Sequence, residues 1–413
     1  MTLSNAEQYL LELMNRARLD PAGEAARMGI NLNKDLPAGT ISNTAKQVLA
    51  PNDKLDAAAT GHSLWMLAQD VFSHTGAGGS NGGQRITAQG YTWWGWGENL
   101  AMVGSTATVT IEGSIEKLNT DLFLSATHRT NLMKEKFQEV GIGAEVGKFQ
   151  QGSTNFNTAM LTENFGYITG TRFLTGVSYT DSNANNFYTM GEGKAGVNFT
   201  IGNATTTTSA SGGYSLQAGT AAVTAVSGVS GTLAFSANVD MSIGNVKLDL
   251  VSDVKFMTSG SITLVSGIRN VDLLGVANLN AEGNAAGNRL VGNAGNNLLT
   301  GRGGNDTIVG GLGADTLTGG LGNDVLTGEA GSDTFVFSTG LGSDRIVDFR
   351  KAQLDHISLD HGLWTGTKTA AQVVTEFAHI GTNEVFFDFG GSNQIHLTGL
   401  TSLSGLDATL IIV

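Results

Sequence analysis

Apolar and polar positions at the start of the chain follow a helical pattern. Apolar side chains recur every three or four positions between Leu10 and Ala17, and Ser4 with Glu7 forms a capping box ahead of them. Because the residue before a proline disfavours helix, the pattern predicts a first helix that ends next to Pro21.

Further periodic segments complete the front of the chain. The spacing of apolar residues predicts helices over 55–71 and 108–124, and strands over 140–145 and 157–165. The first domain, which we place at residues 1–170, therefore has an α+β pattern.

The pattern then changes to short β runs separated by turn residues. Between 171 and 253 the runs recur about every ten residues, as in FLTGVSYT, AGVNFTIG and GTLAFSANV. This spacing predicts a small all-β sandwich over 171–253, followed by a lead-in coil of strands over 254–282.

Six consecutive nonapeptides without a gap occupy residues 283–336, from GNAAGNRLV to GEAGSDTFV. The sixth position of each block is Asn or Asp, and the eighth position is always apolar. The apolar residues are Leu290, Leu299, Ile308, Leu317, Leu326 and Phe335. A fixed period of this kind is typical of stacked repeats and argues against a flexible glycine-rich linker.

The repeat also carries the chemistry of a cation site. If two blocks make one coil, residues eighteen apart lie above one another, and pairs of carboxylates with turn carbonyls form an oxygen cage suited to calcium. Without the cation the stacked carboxylates repel, and one apolar residue in nine does not offset chain entropy, so we predict calcium-dependent folding. The predicted ligands are Asp306, Asp315, Asp324 and Asp333, with Asn288 and Asn297 as weaker ones.

These blocks resemble the RTX (repeats-in-toxin, hemolysin-type) calcium-binding family. The family motif is G-G-x-G-x-D-x-U-x with U apolar, and GGLGADTLT and GGLGNDVLT match it in full. The resemblance implies a parallel β-roll over 283–336 with several Ca²⁺ ions. It also implies a post-repeat cap and uncleaved type I secretion signal over 337–413, and export by the type I machinery of a Gram-negative cell.

Composition and charge restrict the possible partners. The chain has 413 residues, 58 glycines, no cysteine and a formal net charge of −13. The acidic balance argues against a nucleic-acid or anionic-membrane partner, and the lack of cysteine excludes disulfides and thiol chemistry. No basic leader followed by an apolar core and no transmembrane run is visible, so the C-terminal tail is the expected address for export.

Five motifs mark the first domain: FSHTG, GENLA, HRTNLM, EVGIG and ENFG, in that order. They resemble the CAP superfamily (cysteine-rich secretory, antigen 5 and pathogenesis-related 1 proteins, also called SCP). The resemblance implies an α-β-α sandwich with an open cleft, where histidines and a glutamate surround a divalent cation or polar ligand. The matching positions are His74, Glu98 and His128.

The chain departs from the family pattern where a second glutamate is expected, because Ser125 stands there in LFLSATHR. The remaining set could bind zinc with one open position, or act as an acid–base pair without metal. The lost carboxylate argues against a hydrolytic role. The nearby Trp93, Trp94 and Trp96 could stack on a sugar or lipid, or fill the core or rim.

A polar loop at 181–192 has EF-hand-like spacing. Its candidate calcium ligands are Asp181, Asn183, Asn185 and Glu192. Asn186 takes the position of the usual glycine, and asparagine tolerates the left-handed conformation that this position needs. A polar β-turn is the alternative interpretation.

Three functional hypotheses follow. The first is a secreted calcium-binding exoprotein, extracellular or on the cell surface, whose CAP cleft binds a lipid, glycan or surface component. The second is a secreted metal-dependent hydrolase in which His74, Glu98 and His128 hold a metal-activated water. The third is an adhesin or surface-layer component; we favour the binding role and leave enzymatic activity open.

Overall fold

The computed structural model of the chain describes residues 3–219 and 221–413. These residues form two compact units. The first takes in the described residues up to Thr224 together with Met241–Ser252, and the second consists of Ala225–Asp240 and Asp253–Val413.

The first unit begins with an alternation of helices and strands. In chain order its elements are α1 (Asn5–Leu19), α2 (Pro21–Arg27), β1 (Ala50–Pro51), α3 (Asp53–Gln69), α4 (Gly82–Ala88), β2 (Gly95–Ser105), α5 (Ile111–Leu124), α6 (Ala126–Leu132), β3 (Glu139–Gln151) and β4 (Thr154–Tyr167). A 3₁₀ turn at Ala77–Gly79 precedes α4. The predicted helices and strands of this region are present, and the apolar spacing did not indicate the additional elements α2, β1, α4, β2 and α6.

The predicted capping box starts α1. The hydroxyl of Ser4 accepts the backbone N–H of Glu7 at 3.3 Å, and the Glu7 carboxylate accepts the N–H of Ser4 at 2.9 Å. Asp20 ends α1 and also caps α2 through the N–H of Gly23 at 2.8 Å, which places Pro21 at the first helical position. The proline therefore begins a second helix as well as ending the first.

Four strands form the sheet of this unit in the order β1-β3-β4-β2. Strand β4 is antiparallel to both β3 and β2, and β1 is parallel to β3. Alternate side chains point to opposite faces, so Leu161 packs with α1 and α5 while Met160 packs with α3. The result is the α-β-α sandwich that the CAP resemblance implied.

Two glycines of the EVGIG motif let α3 lie directly on the sheet. A Cβ atom at Gly141 would be 2.0 Å from the carbonyl carbon of Leu55, and one at Gly143 would be 2.2 Å from the backbone nitrogen of Thr60. Such distances leave no room for any side chain. The motif is therefore explained by close packing of helix and strand.

Shorter strands follow in chain order. They are β5 (Arg172–Tyr179), β6 (Asn198–Ile201), β7 (Ala204–Thr207), β8 (Gly213–Ala218), β9 (Val223–Ser230), β10 (Leu233–Asp240) and β11 (Val246–Val251). Strand β5 pairs with β8 antiparallel and with β11 parallel. The two compact units divide the predicted sandwich segment 171–253 between them, with 225–240 in the second unit and the rest, up to Ser252, in the first.

A buried charge cluster attaches β11 to the first helix. Lys247 lies 2.7 Å from the carboxylate of Glu12 on α1 and also pairs with Asp249, and all three side chains are buried. Asn245 donates to the carbonyls of Val48 at 3.0 Å and Gln138 at 2.7 Å. These long-range contacts explain why β11 belongs to the first unit.

The second unit is a parallel β-solenoid closed by a short α+β cap. Its further elements are β12 (Lys255–Thr258), β13 (Ile262–Ser266), β14 (Asn270–Leu273), β15 (Asn280–Glu282), β16 (Arg289–Val291), β17 (Leu298–Gly303), β18 (Thr307–Leu312), β19 (Thr316–Leu321), β20 (Val325–Ala330), β21 (Thr334–Phe337), β22 (Ser343–Ile346), β23 (His356–Leu359), α7 (Ala370–Phe377), β24 (Ala378–Ile380), β25 (Glu384–Asp388), β26 (Gln394–Thr398) and β27 (Leu410–Ile412). Three 3₁₀ turns lie at Lys351–Gln353, His361–Leu363 and Asp407–Thr409.

The strands of the solenoid form two sheets, and from β12 to β23 consecutive strands alternate between them. Within this unit one sheet has the order β9-β10-β13-β15-β17-β19-β21-β23-β27, and the other has β12-β14-β16-β18-β20-β22-β26-β25-β24. Leu290, Ile308 and Leu326 lie opposite one another in adjacent strands, and all three are fully buried. The predicted stacking of residues eighteen apart is confirmed.

The segments on either side of the repeats extend the same two sheets. Strands β12 and β13 of the lead-in pair in parallel with β14 and β15, and the last strand β27 pairs in parallel with β23. No helix within residues 3–219 and 221–413 combines the length and apolarity needed to cross a membrane.

Substituting Gly143 by alanine should destabilise the first unit, because the new Cβ would clash with the backbone of α3. We expect a loss of about 2–4 kcal/mol in the free energy of unfolding, measured by guanidinium melts followed by tryptophan fluorescence. Gly61→Ala, on the exposed side of α3 where a Cβ has nothing within 4 Å, should instead stabilise by about 0.5–1 kcal/mol. Equal effects of the two substitutions would contradict the packing argument.

Candidate functional sites

One carboxylate oxygen of each repeat aspartate is hydrogen-bonded to the neighbouring coil. Asp306 Oδ1 accepts the backbone N–H of Asn288 at 2.7 Å, and Asp324 Oδ1 accepts that of Asp306 at 2.8 Å. On the other side Asp333 Oδ1 accepts the N–H of Asp315 at 2.9 Å. The aspartates thus form two ladders along the roll, each rung joining residues eighteen apart.

The second oxygen of each aspartate is buried without a partner. Within the part of the chain that the structure describes, these unpartnered atoms are the Oδ2 atoms of Asp306, Asp315, Asp324, Asp333 and Asp344. A buried acceptor that makes no hydrogen bond costs about 1–3 kcal/mol, so five in one small unit require a compensating group. A cation is the compensating group that suits a carboxylate oxygen.

The space in front of these oxygens is kept open by glycine. A Cβ atom at Gly301 would be 2.0 Å from Asp306 Oδ2 and 2.6 Å from the carbonyl oxygen of Gly319. At Gly310 it would be 2.4 Å from Asp315 Oδ2 and 2.8 Å from the carbonyl oxygen of Gly328. The first glycine of the block therefore leaves a cradle bordered by a carboxylate and a carbonyl, both ligands that calcium accepts.

Burial is the main reason why these carboxylates resist ionisation. It raises the pKa of Asp306 and of Asp333 to about 7 and that of Asp315 to about 6. Repulsion from Asp324 adds to the effect at Asp306 but is a smaller cause. The expected mutual repulsion is therefore present, but desolvation is the larger obstacle to a charged, cation-free roll.

The ladders continue into the cap at residues that the repeat period did not identify. Asp344 Oδ1 accepts the N–H of Asp324 at 2.8 Å, and Asp355 Oδ1 accepts that of Asp333 at 3.2 Å. Burial raises the pKa of Asp344 to about 8. The spacing to the preceding aspartate is no longer eighteen, but the local pattern of an aspartate two residues before a buried isoleucine persists at Asp344 and Asp355.

The two asparagine blocks differ from the aspartate blocks. Asn288 Oδ1 accepts the N–H of Asn284 at 2.8 Å, and its amide donates to the carbonyl of Arg269 at 3.1 Å. Asn297 is bonded in the same way, with its amide 3.0 Å from the carbonyl of Leu279. At the position where an aspartate has an unpartnered second oxygen, each asparagine has an amide nitrogen that donates a hydrogen bond. Neither asparagine therefore leaves a side-chain oxygen without a partner.

In the EF-hand-like loop, the side chains of the two predicted acidic ligands accept backbone N–H groups of the loop itself. Asp181 accepts the backbone N–H groups of Asn185 and Asn186 at 3.1 Å each, and Glu192 accepts that of Ser182 at 3.0 Å. Asn186 has a positive φ of 55°, as the glycine position requires. The loop is exposed, and its calcium role, together with the ligand Asn183, stays a prediction.

In the first unit, Glu98 on β2 is the centre of a hydrogen-bonded group. Its side chain is buried, and it lies 2.9 Å from His74 Nδ1 and also pairs with the guanidinium of Arg85 on α4. Burial favours the protonated acid, but the hydrogen bonds from His74 and Arg85 outweigh it and hold the pKa of Glu98 below its usual value. Arg85 lies near the Gly-rich loop and was not anticipated from the sequence.

His128 is placed beside this group by α6. Its Nδ1 shares a hydrogen bond of 2.9 Å with the hydroxyl of Ser125, the residue that stands in place of the family's second glutamate. Burial, and to a smaller extent the charge of His74, lowers the pKa of His128. Both effects favour the neutral form of the His128 imidazole.

A buried acid lies behind His128. Glu163 on β4 accepts the side-chain amide of Asn99 at 3.0 Å, and the same amide reaches the backbone carbonyl of His128 at 3.3 Å. Burial raises the pKa of Glu163 to about 7. The sequence motif ENFG thus contributes a buried positioning group.

The structure does not support the zinc interpretation of His74, Glu98 and His128. Among the described residues no three His, Asp or Glu side chains lie close enough together to hold a metal ion. The carboxylate of Glu98 is already neutralised by Arg85, which competes with a cation for the same oxygens. The group can donate and accept hydrogen bonds, and it presents an imidazole, His74, whose side chain is 60% exposed.

Comparison with known families finds one match in each unit. Residues 11–165 match the profile of CAP, the cysteine-rich secretory protein family. Residues 282–317 and 310–346 match the profile of the RTX calcium-binding nonapeptide repeat (4 copies). The chain joins a CAP domain to RTX calcium-binding repeats. We refer below to the CAP unit and the RTX roll.

Solved structures similar to parts of the chain include three bacterial surface or extracellular proteins. An extracellular protein containing an SCP domain from Bacillus anthracis is 24% identical, over 30% of this chain and 35% of its own, with a TM-score of 0.23. An outer surface protein from Borrelia burgdorferi is 16% identical, over 30% and 79%, with a TM-score of 0.23. The extracellular lipase LipA from Serratia marcescens is 20% identical, over 52% and 31%, with a TM-score of 0.27.

The chain spans about a third of the length of the Bacillus and Serratia proteins. A search of curated proteins gave no significant match.

Filling the cradle of the RTX roll should weaken calcium binding. Gly301→Ala places a Cβ against Asp306 Oδ2, whereas Gly303→Ala in the same strand meets its nearest atoms at 3.8 and 3.9 Å. We expect the calcium concentration at the folding midpoint to rise at least about tenfold for Gly301→Ala, since this equals about 1.4 kcal/mol. Circular dichroism during calcium titration measures it; a similar shift for Gly303→Ala would argue against a cradle.

The buried acid Glu163 should make the CAP unit less stable as pH rises. Because its folded pKa is raised to about 7 from 4.5, its contribution is complete below about pH 4.5 and is lost as pH rises through 7. We therefore expect the free energy of unfolding to fall between pH 5 and pH 8 in the unaltered chain. In Glu163→Gln this fall should be smaller by about 3 kcal/mol, both proteins being measured at saturating calcium. Guanidinium melts give this value, with the exposed Glu112→Gln as the control expected to behave like the unaltered chain.

Proposed function

We propose that this chain is a secreted calcium-binding protein whose RTX roll folds on meeting calcium outside the cell, and whose CAP unit binds a ligand there. The observation that carries the calcium role is the row of buried, unpartnered aspartate oxygens along the roll. An isolated buried oxygen costs free energy that only a proton or a cation offsets, and outside a cell calcium is the abundant hard cation.

The residues that would hold calcium follow from the ladders. One column consists of Asp306, Asp324 and Asp344, and the other of Asp315 and Asp333 with Asp355 beyond them. Turn carbonyls such as Gly319 and Gly328 border the same spaces and would complete the oxygen set. When bound, calcium supplies the positive charge that lets these carboxylates stay ionised in a buried position.

Export before folding fits this chemistry. A cation-free roll with buried carboxylates is unstable at neutral pH, so the chain would remain unfolded where calcium is scarce. We therefore keep the type I route as the proposed means of secretion from a Gram-negative cell, with residues 337–413 as the candidate signal. The final strand β27 pairs with β23, so the same residues would complete the roll after export.

The CAP unit supports binding more than hydrolysis. Glu98 forms a salt bridge with Arg85, and His128 is bonded to Ser125 instead of an acidic group. A metal-activated water needs ligands that this group does not bring together, whereas a polar ligand needs only hydrogen-bonding partners. We propose that His74, Glu98 and His128 position such a ligand.

Calcium removal should unfold the RTX roll of the full chain, and substitution of one ladder aspartate should raise the calcium concentration needed for folding. At pH 7.5 in chelator we expect loss of β signal and its return on calcium addition, because the Oδ2 atoms lose their partner. Asp324→Ala, in the middle of its column, removes both carboxylate oxygens without adding an amide donor and should raise the calcium midpoint at least about tenfold. Circular dichroism and elemental analysis measure the folding and the number of bound ions.

Asp272→Ala is the matched control for that variant. Asp272 lies on the same roll, but its two oxygens already have partners, Oδ2 with Lys255 and Oδ1 with Arg289. Its calcium midpoint should stay close to that of the unaltered chain. A roll that keeps a cooperative thermal transition in chelator, with no ion retained, would refute the calcium role.

A further inference from the structure

A cavity with aromatic walls lies in the CAP unit beside the histidine group. Its volume is about 480 Å³, and none of the described residues that line it is charged. The lining residues are Asn81, Gly83, Gln84, Thr87, Ala88, Trp93 and Trp96. Neither the calcium role nor the histidine group accounts for this cavity.

The tryptophans of this cavity are held in a fixed arrangement. The rings of Trp93 and Trp96 meet edge to face, with centroids 6.4 Å apart and an angle of 72° between them. Trp93 Nε1 donates to the hydroxyl of Thr87 at 3.0 Å, and the side chain remains 37% exposed. An indole that is anchored yet exposed loses little freedom when a ligand stacks on it, which favours binding.

Two side-chain amides add polar donors to the same wall. Asn81 and Gln84 form the capping box of α4, in which each side-chain oxygen accepts the other's backbone N–H at 2.9 Å. In the part of the chain that the structure describes, neither amide nitrogen has a hydrogen-bond partner. Each NH₂ group therefore remains a donor for a ligand in the cavity that these residues line.

The cavity adjoins the histidine group through Gly82. A Cβ atom at Gly82 would be 2.7 Å from the ring of Trp96 and 3.2 Å from Glu98 Oε2. Trp96 and Glu98 are two residues apart on β2 and so point to the same face of the sheet. A ligand long enough to extend past Trp96 would therefore approach His74, which is bonded to Glu98.

We propose that this cavity is a binding subsite for an uncharged oligosaccharide. Aromatic faces pack against the C–H faces of sugar rings, and amide donors pair with hydroxyl oxygens. A phosphate, sulfate or carboxylate group would need a cation in the lining, and none of the described lining residues is charged. The inference rests on the proposed binding role of the CAP unit and names its ligand class.

Calorimetric titration of the calcium-loaded full chain tests the subsite with four neutral hexasaccharides: cellohexaose, fully N-acetylated chitohexaose, xylohexaose and maltohexaose. We expect at least one to bind, and Trp93→Ala to weaken that binding at least about tenfold, as loss of a stacked aromatic does. Thr87→Val keeps the indole but removes its anchor and should weaken binding about fivefold. This second variant guards against misfolding of the first.

The neighbouring Trp94 is the matched control. It is 68% exposed and does not line the cavity, so Trp94→Ala should bind within about twofold of the unaltered chain. Binding to phosphatidylcholine vesicles that depends on Trp94, with no sugar binding, would overturn the proposal in favour of a membrane surface. Sugar binding that Trp93→Ala leaves unchanged would reject this subsite but not the binding role of the CAP unit. If none of the four hexasaccharides binds, the subsite is likewise rejected.

Discussion

The RTX roll depends on what happens to one carboxylate oxygen in each aspartate block. Oδ1 of Asp324, for example, is used by the backbone of the coil below, so its burial is compensated. Oδ2 of the same residue is buried with no partner. A buried apolar side chain stabilises each block by about 1.5–3 kcal/mol, and an unpartnered oxygen costs about 1–3 kcal/mol. The two effects nearly cancel. In our proposal the conformational entropy of the chain therefore opposes folding until a cation occupies the cradle.

The asparagine blocks show the same rule from the other side. Asn288 and Asn297 occupy the aspartate position, yet both side-chain atoms are hydrogen-bonded within the roll. An amide carries its own donor, whereas a carboxylate must be given one. The unpartnered carboxylate oxygens are therefore concentrated in the aspartate blocks and extend past them to Asp344 in the cap. In our proposal the asparagine end of the roll closes by itself, whereas the aspartate end requires an ion.

Much of the roll could be predicted because the nine-residue period is visible in the sequence. The rest of the molecule has no such period and was harder to predict. Asp344 escaped prediction because an insertion changes its distance to Asp324 from the repeat length. The segment 171–253 resembled an independent sandwich because its strands alternate regularly. However, Lys247 on β11 forms a salt bridge with Glu12 on the first helix. These residues are far apart in the sequence, so no local pattern predicts their contact. Arg85 was missed for the same reason.

The CAP cleft combines features that together favour a neutral polar ligand. The family's second carboxylate is replaced by Ser125, whose hydroxyl shares a hydrogen bond with His128 and adds no charge. The remaining carboxylate, Glu98, is balanced by Arg85, so the centre has little net charge with which to hold a cation. The adjoining wall of Trp93 and Trp96 is uncharged as well. A surface that is hydrogen-bonding, aromatic and electrically balanced fits the neutral ligand that we propose, and Ser125 contributes to that balance because it adds a hydroxyl where a carboxylate would add a charge.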